Sequence, residues 1–245
     1  MSKIWFVTGS SRGFGRQFVE AALDRGDKVV ATARNTDSLA DLVAVHGESV
    51  LALVLDVTDR VAVVEAVKQA HEHFGHLDVV VNNAGCGLLG AVAGWGEQQV
   101  RDEFETNFFG ALWVVQAVLP ILCEQGDGHI VQISTAGGVL DLPAVDGCNA
   151  SRWALEGLTE ALALEVAGFG IKVTLVEPGG FPYDWDRSSA VRTEPLRACA
   201  GARADVAALF EDAVIGGPTT AGPALLKIVD AENPPLRAYL DTSPL

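Results

Sequence analysis

Six short apolar runs rich in β-branched residues alternate along the chain with longer amphipathic stretches, and this alternation limits the possible folds. The apolar runs lie at residues 4–8, 28–33, 50–55, 77–82, 129–134 and 172–176. The stretches of helical length lie near residues 13–25, 58–74, 98–122 and 149–167. Strands separated by helices predict an α/β fold in which helices cover both faces of a parallel sheet.

Length and composition favour a single domain. The chain has 245 residues, of which 49% are hydrophobic, and this is enough to bury one large core. Composition changes only after Gly179, where Pro, Arg, Ser and Asp gather. We therefore interpret residues 1–245 as one domain, with a lid or substrate-loop insertion at about residues 180–204.

Charge and cysteine content limit the partners and the location. A formal net charge of −15 excludes nucleic acid and anionic membrane surfaces as expected partners. No apolar run approaches the roughly 20 residues of a membrane span, and no secretory signal precedes the first predicted strand. The four cysteines show neither paired spacing nor a metal-ligand pattern. We expect a cytoplasmic protein that holds no metal.

A glycine-rich turn directly follows the first predicted strand. Its glycines allow a tight turn, close approach to a pyrophosphate, and presentation of the free N–H groups of the next helix to an anion. Located in the first turn of a doubly wound pattern, it predicts a Rossmann-like fold with a dinucleotide site. The residues expected to bind the cofactor here are Gly9, Ser11, Arg12, Gly13, Phe14 and Gly15.

The end of the second predicted strand bears on the choice of cofactor. A carboxylate there would bind a ribose 2′-hydroxyl and repel a 2′-phosphate, but this chain has Ala33 followed by Arg34. Arg34 and Arg12 therefore favour NADP(H) over NAD(H). The alternative to a role of Arg34 in cofactor binding is that it is a solvated charge on the protein surface.

Further motifs occur in order along the chain, and together they are specific. They are Asp56-Val57, Asn82-Asn83-Ala84-Gly85, Asn107 and Pro178-Gly179. With the glycine loop, they give a sequence that resembles the short-chain dehydrogenase/reductase family over nearly its whole length. The resemblance implies that Asp56 and Val57 flank the adenine and that Asn83, Ala84 and Gly85 line the cofactor channel. It also implies that Pro178 and Gly179 face the nicotinamide.

The catalytic positions of that family are altered in this chain. The family uses a Tyr-x-x-x-Lys pair on one face of a helix, a serine before it, and an asparagine on the preceding helix. By resemblance, Cys148 occupies the tyrosine position, Arg152 the lysine position and Thr135 the serine position, while Asn107 is retained. Tyr183, one of only two tyrosines, stands where the family places a threonine that bonds the cofactor amide. These five residues are the catalytic candidates.

The altered residues differ in chemistry from those they replace. The Cys148 thiol is shorter than a phenol, and Arg152 keeps the positive charge but does not release a proton near neutral pH. Loss of a positioned general acid costs roughly 10²- to 10⁴-fold in rate. We therefore expect an NADP(H)-binding enzyme with a non-standard site that acts on a carbonyl-containing small molecule. The step is a cyclisation, elimination or isomerisation, or an atypical reduction.

Two other functions remain open. The chain can be a non-catalytic subunit that stabilises an active partner, or an ordinary NADPH-dependent ketoreductase. The resemblance implies a homodimer or homotetramer formed through the two long helices at residues 98–122 and 149–167. Four tryptophans are candidate neighbours of an aromatic or polyketide-like substrate, namely Trp95, Trp113, Trp153 and Trp185.

Overall fold

The computed structural model describes residues 2–90, 92–135, 146–179, 190–193 and 220–240, without the side chains of residues 89 and 146–148. Seven strands form the main sheet: β1 (Ile4–Val7), β2 (Lys28–Ala33), β3 (Val50–Val54), β4 (Val79–Asn82), β6 (Gly128–Ile133), β7 (Ile171–Pro178) and β9 (Arg237–Leu240). They are all parallel, in the order β3-β2-β1-β4-β6-β7-β9. Two short strands, β5 (Gly87–Leu89) and β8 (Ala190–Arg192), form a separate parallel pair.

Seven α-helices connect the strands in the described residues. They are α1 (Gly13–Asp24), α2 (Ala40–His46), α3 (Arg60–Phe74), α4 (Glu97–Phe104), α5 (Ala111–Gln125), α6 (Asp146–Val166) and α7 (Ala221–Asp230). A π-helix, Glu105–Gly110, joins α4 to α5. The helix expected at residues 98–122 is therefore a continuous helical run with a wider turn in its middle.

Two hydrophobic cores lie on opposite faces of the sheet. On one face, the side chains of α1, α2 and α7 pack against alternate residues of the central strands, such as Trp5 and Val7. On the other face, α3, α5 and α6 pack against the intervening residues, such as Phe6 and Val80. This alternation follows from the period of two along each strand. The predicted three-layer, Rossmann-like parallel fold is confirmed.

Elements near the carboxyl end of the chain were not predicted. β9 has only four residues, follows Pro234 and Pro235, and pairs with β7 at the edge of the sheet. Because β9 is short and lies at the sheet edge, it lacks the mostly apolar sequence by which the central strands are predicted. The expected lid at about residues 180–204 lies outside the described residues except for 190–193, where β8 pairs with β5.

The helical run Glu97–Gln125 has 29 residues and is apolar enough to cross a membrane by length and composition alone. No uninterrupted apolar run of that length occurs in the sequence, because polar and charged residues are spread through the segment. Val114, Val118 and Leu122 from this run are buried in the core beside the sheet. Because core helices of soluble proteins meet the same criteria, the run is weak evidence for a membrane span, and the cytoplasmic location stays a prediction.

Candidate active site

The motifs expected at the cofactor site meet at one edge of the sheet. The glycine loop follows β1, the Asn-Asn-Ala-Gly turn follows β4, Thr135 comes two residues after β6, and Gly179 follows β7. These four strands are neighbours and parallel, so their carboxyl ends lie side by side. Ligands of open α/β sheets bind in the crevice at this edge.

Hydrogen bonds join the glycine loop to the Asn-Asn-Ala-Gly turn. Thr8 Oγ1 accepts hydrogen bonds from the backbone N–H groups of Asn83 and Ala84, at 2.9 and 3.0 Å. Asn83 Nδ2 donates to the carbonyl oxygens of Thr8 and Gly9, at 2.9 and 3.0 Å. Sequence reasoning did not identify Thr8 as a site residue. The feature that could have indicated it is a hydroxyl directly after β1. Through these hydrogen bonds, Asn83 holds the two loops together.

The glycine loop has the shape that a phosphate group requires. Gly9 has a φ of 68°, and a Cβ there would lie 2.9 Å from Ala84 Cα. A Cβ on Gly15 would overlap the Gly9 carbonyl oxygen and the Asn83 amide. At Gly13, by contrast, a Cβ would meet no heavy atom within 4 Å among the described residues outside the adjoining backbone of α1, so these residues leave the amino end of α1 uncovered there. An anion fits this cradle of backbone N–H groups.

The other residues of the first motif lie around this cradle. Ser11 and Arg12 are exposed at the amino end of α1. Phe14 stacks on Phe18 with ring centroids 5.9 Å apart, and it packs against the core of that face. We conclude that Ser11 and Arg12 are the accessible side chains of the loop, whereas Phe14 fixes α1 to the sheet.

The residues expected near the adenine lie next to the same edge. Arg34 is exposed directly after β2, where a 2′-phosphate would be recognised. Asp56 Oδ1 accepts hydrogen bonds from the backbone N–H and the hydroxyl of Thr58, at 3.0 and 2.8 Å. Val57 is buried in the core beside Gly110. The cofactor roles of Asp56 and Val57 stay predictions.

Arg152 brings a buried positive charge to the site. Only 9% of the residue is exposed, and Nη1 donates a 2.7 Å hydrogen bond to the carbonyl oxygen of Ile133. Nη2 lies 2.5 Å from the position that a Cβ on Gly85 would occupy. The buried Nε has no hydrogen-bond partner among the described residues. A buried donor without a partner costs free energy, so a ligand acceptor at Nε fits this position.

The remaining catalytic candidates are described only in part. Thr135 is half-buried and follows Ser134, which is buried, so Thr135 is the more accessible hydroxyl of the pair. Cys148 lies in α6 one turn before Arg152, but its side chain is outside the described residues. All of Tyr183 is outside them as well. Gly179, whose N–H donates a 2.8 Å hydrogen bond to the carbonyl oxygen of Leu240, is fixed where the nicotinamide is expected.

Asn107 lies in the π-helix and connects it to the turn after β4. Its Oδ1 accepts a hydrogen bond from the Cys86 N–H at 2.9 Å, and its Nδ2 donates to the Cys86 carbonyl oxygen at 3.0 Å. Nδ2 is also 3.0 Å from Ser151 Oγ on α6. π-helical turns often occur at functional sites. The amide thus fixes the α4–α5 run and α6 against the Asn-Asn-Ala-Gly turn.

Glu103 is a buried carboxyl group that sequence reasoning missed. It is 3% exposed, and its Oε1 accepts hydrogen bonds from Asn107 Nδ2 at 3.2 Å and from Ser151 Oγ at 3.3 Å. Burial raises the pKa of Glu103 to about 7, although the charge of Arg152 and the Ser151 hydrogen bond act in the opposite direction. The feature of the sequence that could have indicated Glu103 is its i, i+4 spacing to Asn107, which puts both side chains on one helix face.

The tryptophans expected near an aromatic substrate do not gather at the site. Trp113 stacks on Phe109, with ring centroids 5.8 Å apart, and lies beneath Arg60. Trp153 is half-exposed on α6, Trp95 donates a hydrogen bond to the Gly90 carbonyl oxygen, and Trp185 is outside the described residues. The described tryptophans therefore give no support for an aromatic substrate.

An anion cradle next to a buried basic pocket, at the carboxyl edge of a parallel sheet, defines a doubly wound α/β protein of the nucleotide-binding type. The chain belongs to the short-chain dehydrogenase family, whose sequence profile matches residues 3–191. It is 43% identical to Oxidoreductase BOA17 of Botryotinia fuckeliana, over 97% of this chain and 88% of the relative. It is 36% identical to a 3-ketodihydrosphingosine reductase of Bacteroides thetaiotaomicron, over 96% and 86% of the two chains.

Solved structures agree with this assignment. A short-chain dehydrogenase from Streptomyces avermitilis is 39% identical and superposes with a TM-score of 0.90, covering 98% of this chain and 88% of the other. A Burkholderia phymatum family member in complex with NAD has 25% identity and a TM-score of 0.83, over 96% and 88% of the chains. ElxO with NADP bound shares the fold. Its sequence is 22% identical, and it superposes with a TM-score of 0.80 over 98% of this chain and 96% of the other. Because the relatives are named oxidoreductases, the non-redox step expected from the sequence gains no support.

The raised pKa of Glu103 predicts how stability depends on pH. Glu103 keeps its proton up to about pH 7 in the folded chain, whereas its ordinary value is 4.5. Between these values only the unfolded chain ionises, so the Glu103 contribution to stability is present below pH 4.5 and is lost as pH rises through 7. We therefore compare the melting temperatures of the wild type and Glu103→Gln. We expect the wild-type value minus the variant value to decrease as the pH is raised from 4.5 to 8.

Thermal unfolding monitored by circular dichroism at several pH values checks this expectation. The matched control is Glu105→Gln, because Glu105 is exposed two residues further along the same helical run. Its melting temperatures should run parallel to those of the wild type. A Glu103→Gln profile that also runs parallel to the wild type contradicts the assignment.

Proposed function

We propose that the chain is an NADP(H)-dependent oxidoreductase that acts on a carbonyl-containing small molecule without the family's Tyr–Lys pair. The observation that carries the proposal is the buried guanidinium of Arg152, anchored through Nη1 with Nε left for a ligand. The relatives named Oxidoreductase BOA17 and 3-ketodihydrosphingosine reductase support the reaction class. A bound nicotinamide dinucleotide supplies or accepts the hydride.

The cofactor assignment rests on two parts of the sheet edge. The glycine cradle fits the pyrophosphate, and two of the structures named above are complexes, the Burkholderia phymatum protein with NAD and ElxO with NADP. Exposed Arg34 and Arg12 supply positive charge where a 2′-phosphate would lie, and Ala33 offers no carboxylate to repel it. These residues favour NADP(H).

Arg152 binds and orients but does not transfer protons. Its guanidinium is fixed by the Ile133 carbonyl oxygen, and Nη2 lies against the turn at Gly85, so Nε and Nη2 hold defined positions. From this position they can donate hydrogen bonds to ribose hydroxyl groups. A guanidinium stays protonated at neutral pH, so the proton that a lysine–tyrosine pair would handle must travel by another route.

Hydroxyl groups are the proposed proton donors to the substrate oxygen. Thr135 is accessible after β6, and Tyr183 adds a phenol in the lid segment. By resemblance, Cys148 occupies the position of the family's tyrosine. Because the proposed site has no Tyr–Lys pair in which a lysine lowers the pKa of a tyrosine, we expect turnover that is roughly 10²- to 10⁴-fold slower than with such a pair.

The outer face of α6 supports self-association. Trp153 is 51% exposed and Leu164 is 83% exposed on this helix, so contact with a second chain would remove apolar surface from water. We propose a homodimer or homotetramer that buries this face. A chain that is inert alone and active only with a second family member would instead favour the non-catalytic subunit.

The Arg152 proposal predicts the effect of removing the guanidinium. In Arg152→Ala we expect the NADPH dissociation constant to rise about tenfold or more, since a hydrogen bond from a charged group contributes about 1.5–3 kcal/mol. We also expect ketone-dependent NADPH oxidation by the purified chain to be lost. Arg152→Lys keeps the charge and should bind NADPH within about fivefold of the wild type. Fluorescence titration measures the affinity.

The control for this experiment is Arg101→Ala, because Arg101 is exposed and pairs with Glu97 on α4. It should bind NADPH as the wild type does. Unchanged NADPH affinity and turnover in Arg152→Ala would falsify the proposed role of the guanidinium.

The NADP(H) preference predicts the effect of reversing the charge after β2. Arg34→Asp should weaken NADPH binding about tenfold or more, because a carboxylate repels the 2′-phosphate, and should strengthen NADH binding. Titrations with both cofactors measure the two dissociation constants. A wild type that binds NADH as tightly as NADPH contradicts the preference.

A further inference from the structure

We infer that Glu103 is a positioning residue whose charge decides how strongly the site distinguishes an oxidised from a reduced nicotinamide ring. The inference rests on the proposed function, because it assumes that the nicotinamide end of the cofactor lies beside Arg152. It concerns a residue of α4 to which the family resemblance assigned no role in the site.

The carboxyl group of Glu103 connects two walls of the site. Through Asn107 it is linked to both backbone polar groups of Cys86, which directly follows Gly85. Through Ser151 it is linked to α6 at the residue that precedes Arg152. The Arg152 guanidinium also reaches from α6 to the turn after β4, because its Nη2, like Asn107 Oδ1, lies close to Gly85. A change at Glu103 therefore acts on the turn after β4 and on the guanidinium together.

The charge of Arg152 depends on Glu103 for compensation. Arg152 is permanently positive and buried, and its described hydrogen-bond partner is the uncharged carbonyl group of Ile133. A buried charge is costly unless an opposite charge lies near. Glu103 is a buried carboxyl group, and it interacts electrostatically with Arg152.

Among the described residues, the elements packed against α4 add few other charges. β5 contributes Gly87, Leu88 and Leu89, none of which titrates. In the π-helix Glu105 is exposed to solvent, and among the described side chains of α6 those of Arg152 and Ser151 interact with Glu103. The other charged side chains of α4 are exposed, namely Glu97, Arg101 and Asp102. Two ionisable residues of α6, Asp146 and Cys148, have side chains outside the described residues.

Ionisation of Glu103 changes the net charge of this pair. With Glu103 protonated, the pair carries one positive charge, and with Glu103 ionised it carries none. Because burial raises the pKa of Glu103 to about 7, this change falls in the neutral range. An oxidised nicotinamide ring is positively charged and a reduced one is neutral. An uncompensated guanidinium therefore repels the oxidised ring, and an ionised Glu103 removes that repulsion.

The experiment compares the dissociation constants of NADP⁺ and NADPH, measured by calorimetric titration at pH 6, 7 and 8. Their ratio cancels every effect that the two cofactors share, including titration of the 2′-phosphate. For the wild type, we expect the ratio of the NADP⁺ constant to the NADPH constant to fall about three- to tenfold from pH 6 to pH 8. For Glu103→Gln the ratio should stay near the wild-type value at pH 6, because the amide is uncharged.

Two controls separate charge from packing. Glutamine keeps an oxygen that accepts the hydrogen bonds from Asn107 and Ser151, so the local structure should persist, and unfolding curves check this. Glu105→Gln removes an exposed carboxylate from the same run and should keep the wild-type pH dependence.

Each outcome decides the inference. A Glu103→Gln ratio that falls with pH as in the wild type overturns it and leaves the proposed function intact. A wild-type ratio that is constant from pH 6 to pH 8 also overturns it, without reference to any variant. If neither the wild type nor a variant binds either dinucleotide, the proposed function fails, and the inference fails with it.

Discussion

The buried guanidinium of Arg152 is the constraint on which the arrangement of the site depends. It lies so close to the turn after β4 that a side chain at position 85 would meet Nη2 at 2.5 Å, and it is anchored by the Ile133 carbonyl oxygen. Burying a permanent charge is unfavourable unless the surroundings compensate it. The nearby carboxyl group of Glu103, when it is ionised, and the ligand acceptor proposed for Nε would meet this requirement from two sides. The guanidinium thus connects packing and electrostatics, and we propose that it also binds the cofactor.

The fold supplies the rigid frame that such a site needs. Parallel pairing brings the carboxyl ends of β1, β4, β6 and β7 to one edge, and the Thr8 and Asn83 hydrogen bonds join two of the loops there. The π-helical turn brings Asn107 against the backbone of Cys86. Precise placement therefore comes from contacts with the backbone, while Arg152 and Glu103 bring buried ionisable side chains to the same region.

The sequence predicts the sheet and the anion cradle because both follow from local patterns. Strands such as β2 and β4 are mostly apolar and rich in valine, and the spacing of Gly9, Gly13 and Gly15 is itself the signal of the loop. Glu103, Ser151 and Thr8 were not predicted, because their importance arises from contacts between residues far apart in the chain. β9 was missed because a four-residue edge strand has no distinctive pattern. The roles of Cys148 and Tyr183 rest on the resemblance alone.

A crystal structure of this chain with NADP(H) is the most direct test of the account. We predict that Arg152 Nε or Nη2 lies about 3 Å from a hydroxyl group of the nicotinamide ribose, with the pyrophosphate at the amino end of α1. The contradicting result is a bound dinucleotide whose nicotinamide ribose makes no hydrogen bond to Arg152. In that case the guanidinium serves only to hold the turn after β4, and the mechanism must begin from another residue.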